Sequence, residues 1–556
     1  MKHSKIALFV SAALFASSGA YAASENNNAN VTQHSGSGNQ ATVTQVDESN
    51  ENTANIDQTG VDNQASTTQA RTSLSTATIA QDGERNLATI DQTDSTATAS
   101  ALVDSQGDDN TAYITQKIFN GMGAQAVIDQ NGDSNTATIL QQDADAASSS
   151  ITQNGNGDTA EIKNVWSDFA EATVTQNMGT GNDAYIDQYS SDGAQATMTQ
   201  TGAGNDGDIV QNTNNFGYSA DDTTQATLSQ TGDNNTGYIG QNAMYNSATV
   251  TQNQDSNQAF VYQNGHSNTA TVDQDGDVNL ATVTQDGTNS SADVDQVGDS
   301  HTATVVQSGN AQMATVDQSG TSQTASVTQA DFDNQANVAQ SGSGNNATVD
   351  QSGSQSGAGN LATVSQAGNN DTVVIAQVGS SNVALAFQNS GSFGNSINID
   401  QNGTGNYAGA ATQLGDGNTI AITQDGTGNQ VTNNPNAKNW YGTDIGAGTF
   451  GTDNSVVINQ YGTENLAYAD SADANSSVDI MQDGEFNNAT AESWAGSDNV
   501  LVVSQTGNHH MADVYVEGGA LNQVTVNQTD AYNSANVTSY GSNNTVLVNQ
   551  GTSAGI

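Results

Sequence analysis

The chain has 556 residues, with 58 Asp or Glu against seven Lys or Arg, a formal net charge of −51 and 34% apolar residues. A chain this acidic and this poor in apolar side chains cannot enclose one large globular core, and it makes a poor partner for nucleic acid or anionic lipid. It has no cysteine and a single proline, so no disulfide staples it.

Residues 1–22 read as a secretory signal peptide. Lys2 and Lys5 precede an apolar run from Ile6 to Phe15, and Ala20-Tyr21-Ala22 offers a small-x-small cleavage site. The mature chain is therefore expected to leave the cytoplasm, and losing two lysines and no acid makes it more acidic still. A short segment, 23–28, leads into a repeat array covering 29–424.

The repeat starts with Asn39-Gln40-Ala41-Thr42-Val43-Thr44-Gln45 and returns at Ala88–Gln92 and Ala137–Gln141, with longer loops before Gln176, Gln230 and Gln366. Between Gln230 and Gln351 glutamine recurs every eleven residues without a slip. A short period kept this faithfully marks a stacked array. Within Asn268–Gln274, residues 268, 270, 272 and 274 point one way and 269, 271 and 273 the other, so Asn, Ala, Val and Gln share a face. Seven residues of strand are followed by four of turn, where Gly276 suits a positive φ. Period-two alternation of β-branched residues excludes helix.

Two such copies close one flattened coil of 22 residues, and residues 22 apart then stack. The predicted core has Ala270, Val272, Val294 and Val316 on one sheet and Ala281, Val283, Val305 and Val327 on the facing sheet. Amide ladders are expected from Asn257, Asn268 and Asn279, and from Gln252, Gln263, Gln274, Gln285, Gln296, Gln307, Gln318, Gln329, Gln340 and Gln351. Ser290, His301, Gln312 and Gln323 interrupt the asparagine row. The fold expected is all-β: one amyloid-like β-solenoid with two facing parallel sheets and about 21 coils, roughly 100 Å long at about 4.8 Å per coil. Aliphatic burial within one coil falls well short of its ordering cost, so coils depend on their neighbours. Slow nucleation followed by templated growth is the expected consequence.

Residues 425–453, with Pro435, Lys438 and Trp440, form either a protruding loop or a degenerate coil. From 454 to 550 the anchoring glutamines fall at 460, 482, 505, 528 and 550, and the intervening strands lose theirs. Residues 551–556 are a tail.

Asn-x-Ala-x-Val-x-Gln followed by x-Gly-x-x, in 22-residue pairs, resembles the curlin repeat of curli subunits, the bacterial functional amyloids. Asparagine and glutamine in both halves of each coil resemble the nucleator-type subunit more than the major one. Family subunits are far shorter and carry a longer segment after the signal peptide. The resemblance implies export through an outer-membrane secretion pore, partnership with copies of itself and other curlin-type subunits, and extracellular fibres for adhesion and biofilm matrix.

Outward acids raise a second possibility. Asp273, Asp295 and Asp317 recur at the coil period, and adjacent charges about 4.8 Å apart in water repel by about 0.9 kcal/mol. Ca²⁺ would relieve this, although a solvated acidic face is the commoner role of such a row. Outward Thr pairs such as Thr249 and Thr251 are too often broken by Asp, Ser and Tyr for an ice-binding array. His34, His266 and His301 are isolated, His509-His510 is read as an incidental pair, and Arg71, Arg85, Lys117, Lys163 and Lys438 are scattered, so neither an enzyme nor a small-molecule substrate or cofactor is expected. Trp166, Trp440 and Trp494 read as loop-packing residues. The function expected is a structural fibre subunit; the alternative is a monomeric or surface-tethered β-solenoid adhesin that binds a partner along its face.

Overall fold

The computed structural model describes residues 26–47, 49–94, 98–119, 122–213, 224–353, 358–434 and 444–551. The signal-peptide residues, Pro435, Lys438, Trp440 and residues 552–556 lie outside the described residues. Two units are distinguished, one comprising Met1–Asn234 with Gln241–Met244 and the other Asn235–Gly240 with Tyr245–Ile556. Among the described residues every regular element is a strand.

Each unit is built the same way. Successive strands alternate between two sheets, and each strand pairs in parallel with the next-but-one. In the second unit Thr269–Asp275 pairs with Ser291–Asp299, which pairs with Met313–Thr321; between them in sequence, Leu280–Gln285 pairs with Thr302–Asn310 on the other sheet. Register is conserved from coil to coil: Val272 lies on Val294, Val294 on Val316 and Val316 on Val338. Val283 lies on Val305 and Val305 on Val327 in the facing sheet. In the first unit Ala54, Ile56 and Gln58 stack on Ala77, Ile79 and Gln81 in the same manner. A parallel β-solenoid with two sheets therefore describes each unit.

Alternation explains the burial. Ala270, Val272, Ala281, Val283, Val294, Val305, Val316 and Val327 are all at most 1% exposed, while their sequence neighbours face solvent. Each strand gives the core one small and one larger aliphatic side chain, as Ala270 with Val272 or Ala54 with Ile56. Backbone ladders and buried amides consequently carry much of the cohesion.

Two local features differ from the sequence expectation. Many strands run nine residues rather than seven, as in Ser291–Asp299. The glycine of the turn is itself stacked, Gly298 on Gly320, so the ladder continues through it. A Cβ on Gly276 (φ 138°) would lie 2.1 Å from the Gly298 carbonyl oxygen, so close coil-to-coil approach demands glycine as much as the dihedral does. The sharp corner sits elsewhere, on the residue before each asparagine position. Ser256, Ser267, Val278, Asn289, Ser300, Ala311 and Ser322 all adopt φ between 55° and 62°.

Residues 425–453 contribute a split strand. Gln430–Val431 and Ala447–Phe450 both pair with Tyr407–Gln413 on one side and with Leu466–Ala474 on the other. Of the described residues between them, Asp444 lies against Tyr407–Gln413. The Asp444 carbonyl rests where a Cβ on Gly409 would be 2.0 Å away, and it accepts a hydrogen bond from Tyr407 Oη at 3.2 Å. Asn434 Nδ2 reaches Asn488 Oδ1 at 2.7 Å.

Candidate functional site

Between Gln252 and Gln351 the inward amides form two systems, a glutamine ladder on each sheet and an asparagine tie at the corners. Gln274 Nε2 donates to Gln296 Oε1 at 2.8 Å, and Gln296 Nε2 to Gln318 Oε1 at 2.9 Å. The same bond links Gln252 to Gln274, Gln318 to Gln340, and, on the other sheet, Gln263 to Gln285, Gln285 to Gln307, Gln307 to Gln329 and Gln329 to Gln351. The second N–H of each glutamine crosses to a backbone carbonyl of the opposite sheet, as from Gln274 to Gln258 at 3.0 Å. Only a nitrogen can make that bond, so the ladder has one direction: Nε2 always points toward the later coil.

Asparagine fastens the corner. Asn257 Oδ1 accepts the backbone N–H of Asn279 at 2.9 Å, and Asn257 Nδ2 donates to the Gly276 carbonyl at 2.7 Å. Asn268 and Asn279 repeat the bond to Gly287 and Gly298. One side chain thus ties its own corner to the next coil at two points. All of these glutamines and asparagines are at most 2% exposed, so each lost partner leaves a buried polar atom unpaired.

The residues that interrupt the asparagine row do the same work. Asn345 N donates to Gln323 Oε1, Asn334 N to Gln312 Oε1, and Gln323 N to His301 Nδ1. Burial lowers the His301 pKa. His510 fills the same slot, taking the Asn533 N–H on Nδ1 at 3.3 Å, whereas His509 turns outward and stacks between Phe486 and Tyr532 with centroids at 5.1 and 4.8 Å. The two adjacent histidines therefore have separate environments. Asp158 and Asp371 also occupy asparagine slots, where burial pushes both carboxyl groups up. Asp158 stands between Asn135 and Asn182, and Asp371 between Asn345 and Asn395, each immediately before its strand as the repeat's asparagines are.

Asp273, Asp295 and Asp317 lie in consecutive register on an outer face. Burial, then neighbouring carboxylates, raises the pKa of Asp273 and Asp295. Among the described residues no group of three or more His, Asp or Glu side chains is arranged to hold a metal ion. Arg71 and Arg85 bridge acids one coil away, Asp94 and Asp109 respectively. Trp166 packs edge-on against Tyr189, and Trp494 Nε1 donates to Glu492.

Asp470 went unnoticed in the sequence. Alternation puts it on an outer face, yet it is 0% exposed, beside Glu492 at 3% and Tyr468 at 1%. Tyr468 Oη donates to its Oδ2 at 2.5 Å, its Oδ1 has no partner, and burial pushes the carboxyl up to about 8.

Stacked strand–corner–strand coils with internal amide ladders define a structural repeat protein of the parallel β-solenoid class. The curlin associated repeat matches at residues 225–253, 255–287, 287–320, 332–368, 394–426 and 474–515. The chain is a curlin-repeat family protein. No curated protein matches the chain closely enough to count as a relative.

Proposed function

We propose that this protein is a structural subunit of extracellular curli-like amyloid fibres, growing by templated end-to-end stacking of solenoids and serving adhesion and biofilm matrix. The observation that carries the reading is the buried glutamine ladder, which stabilises a coil only when another coil lies against it. Edge strands are left open at both limits of the described residues: Val31 is 37% exposed, and Thr545–Gln550 alternates between exposed and half-buried positions. Such edges template further strands. Its partners are copies of itself and other curlin-type subunits, with export through an outer-membrane pore as in the family it belongs to, and no cofactor, substrate or nucleic acid takes part.

The test is dye-binding kinetics on the purified mature chain with electron microscopy. The expected result is a lag, abolished by preformed seeds, and unbranched fibres. A concentrated sample that stays monomeric and ignores seeds would replace this reading with a soluble adhesin.

A further inference from the structure

We infer that Tyr238 and Tyr262 form an oxidative modification site, where hydrogen peroxide activated by a haem peroxidase joins the two phenols as dityrosine and staples adjacent coils. The site belongs to the single chain, so it stands independently of the fibre reading above.

Parity puts both phenols outside. In Thr236–Gln241 the inner residues are Gly237, Ile239 and Gln241, so Tyr238 and Gly240 face outward. In Gln258–Gln263 the inner residues are Ala259, Val261 and Gln263, which leaves Phe260 and Tyr262 on the outer side. These two strands pair in one sheet. Thr236 N–H donates to the Asn257 carbonyl at 2.8 Å, as Leu280 N–H does to His301 where Leu280 lies on Thr302. The same register sets Gly240 against Tyr262.

Glycine at 240 decides where the phenol of Tyr238 goes. A Cβ there would lie 2.8 Å from both Cε1 and Oη of Tyr238, so the ring lies across the bare backbone of Gly240. Gly240 is accordingly buried although it faces outward. The ring thereby reaches Tyr262, with centroids 5.1 Å apart and planes 37° from parallel. Tyr262 is 38% exposed and open to a small oxidant. Later coils carry threonine at the position of Gly240, as at Thr284 and Thr328. The contacts of Trp166 with Tyr189 and of His509 with Tyr532 hold one phenol each, so neither yields dityrosine.

The coupling balances. Each hydroxyl loses one hydrogen atom and becomes a phenoxyl radical, whose unpaired electron is shared with the ring carbons ortho to oxygen, the Cε atoms. Two Cε atoms join in a new C–C bond, and the hydrogens displaced from them move to the oxygens and restore both phenols. One molecule of peroxide takes up the two hydrogen atoms lost and becomes two of water. A chain with no cysteine thus gains a covalent staple that disulfide chemistry cannot supply. Closing the loop from 238 to 262 restricts the unfolded chain, as any such cross-link does.

The test treats the soluble chain with hydrogen peroxide and a haem peroxidase, then denatures it and cuts before aspartate. Asp255 is the only acidic residue between the two tyrosines. Mass spectrometry should find peptide 233–254 joined to peptide 255–272, lighter than their sum by one H₂, together with dityrosine fluorescence. Tyr238→Phe and Tyr262→Phe should each abolish this product, whereas Tyr245→Phe, in the same peptide as Tyr238, should keep it. Gly240→Thr retains both phenols and the residue usual at that position, but it displaces the Tyr238 ring, so the linked peptide should be lost there too. The oxidised parent should also unfold at a higher denaturant concentration than Tyr262→Phe oxidised in the same way. Dityrosine mapped only to other tyrosines would overturn the site, and a link that survives Gly240→Thr undiminished would overturn the role of the glycine. Mixed pairs from heavy-isotope and ordinary chains oxidised together would place the bond between copies and overturn the staple.

Discussion

His301 Nδ1 accepts the backbone N–H of Gln323 at 3.2 Å, just as Asn279 Oδ1 accepts the N–H of His301 at 2.9 Å one coil earlier. A ring nitrogen replaces an amide oxygen without breaking the corner. The bond needs an unprotonated Nδ1, and Nε2 faces the Val297 carbonyl as its donor.

Protonation of His301 is therefore costly. Its pKa is lowered from 6.5 in the folded chain, chiefly by burial. The unfolded chain takes the proton first, so stability falls as pH drops below about 6.5. His301→Asn should match the parent at pH 7 and exceed it at pH 5 in urea denaturation. Parallel pH profiles would refute this role.

Gln296→Ala should destabilise the stack on both sides. It strips the acceptor from Gln274 Nε2 and the donor from Gln318 Oε1, each a buried loss of about 1–3 kcal/mol. Asp295→Asn, on the exposed side of the same strand, should cost nothing and relieve repulsion. Denaturant midpoints measure both.

Glycines separate by what lies beyond the absent Cβ. Gly276→Ala meets the Gly298 carbonyl at 2.1 Å, whereas Gly405→Ala at φ 67° meets nothing within 4 Å. The second should cost only the left-handed backbone penalty of about 1–2 kcal/mol. The first should cost at least twice as much, seen as a lower melting temperature.

Asp470 sets a pH dependence of opposite sign to His301. Its carboxyl is pushed up to about 8 from 3.8 by burial, with Glu492 adding to the effect. The stability it allows is complete below about pH 4 and is lost as pH rises through 8. Thermal melts of the parent chain should decline across that window, and Asp470→Asn should flatten the curve.

The outer aspartate rows should slow growth at high pH. Asp273 and Asp295 both have raised pKa values, so acid neutralises them more readily than free carboxylates. Fibre elongation is expected to be faster at pH 5 than at pH 8, with Ca²⁺ narrowing the gap. Equal rates under all these conditions would remove the row from any role in assembly.

Much of this molecule is legible in eleven-residue units. Ala270, Val272 and Gln274 share a parity, and parity decides facing in a strand. Their stacking on 292, 294 and 296 follows from the period alone, as does the curlin-repeat resemblance. The corner was harder to read, because its left-handed residue is Ser, Val, Asn or Ala and carries no glycine signal. The interrupting residues were legible as breaks, but their equivalence as acceptors depends on geometry: Gln312, His301 and Asp371 differ in chemistry yet present a lone pair at the same point.

Sequence by itself determined the coil, its two faces and the amide columns, because these follow from a period of two nested in a period of 22. Tertiary structure alone decided the direction of the ladder, since a glutamine nitrogen is identified only by the carbonyl it reaches across the core. It alone also buried Tyr468, Asp470 and Glu492 on a face that alternation assigns to solvent. There Asp470 lies in register with Glu492 and takes the Tyr468 hydroxyl, and a period of two cannot tell a covered outer face from a solvated one.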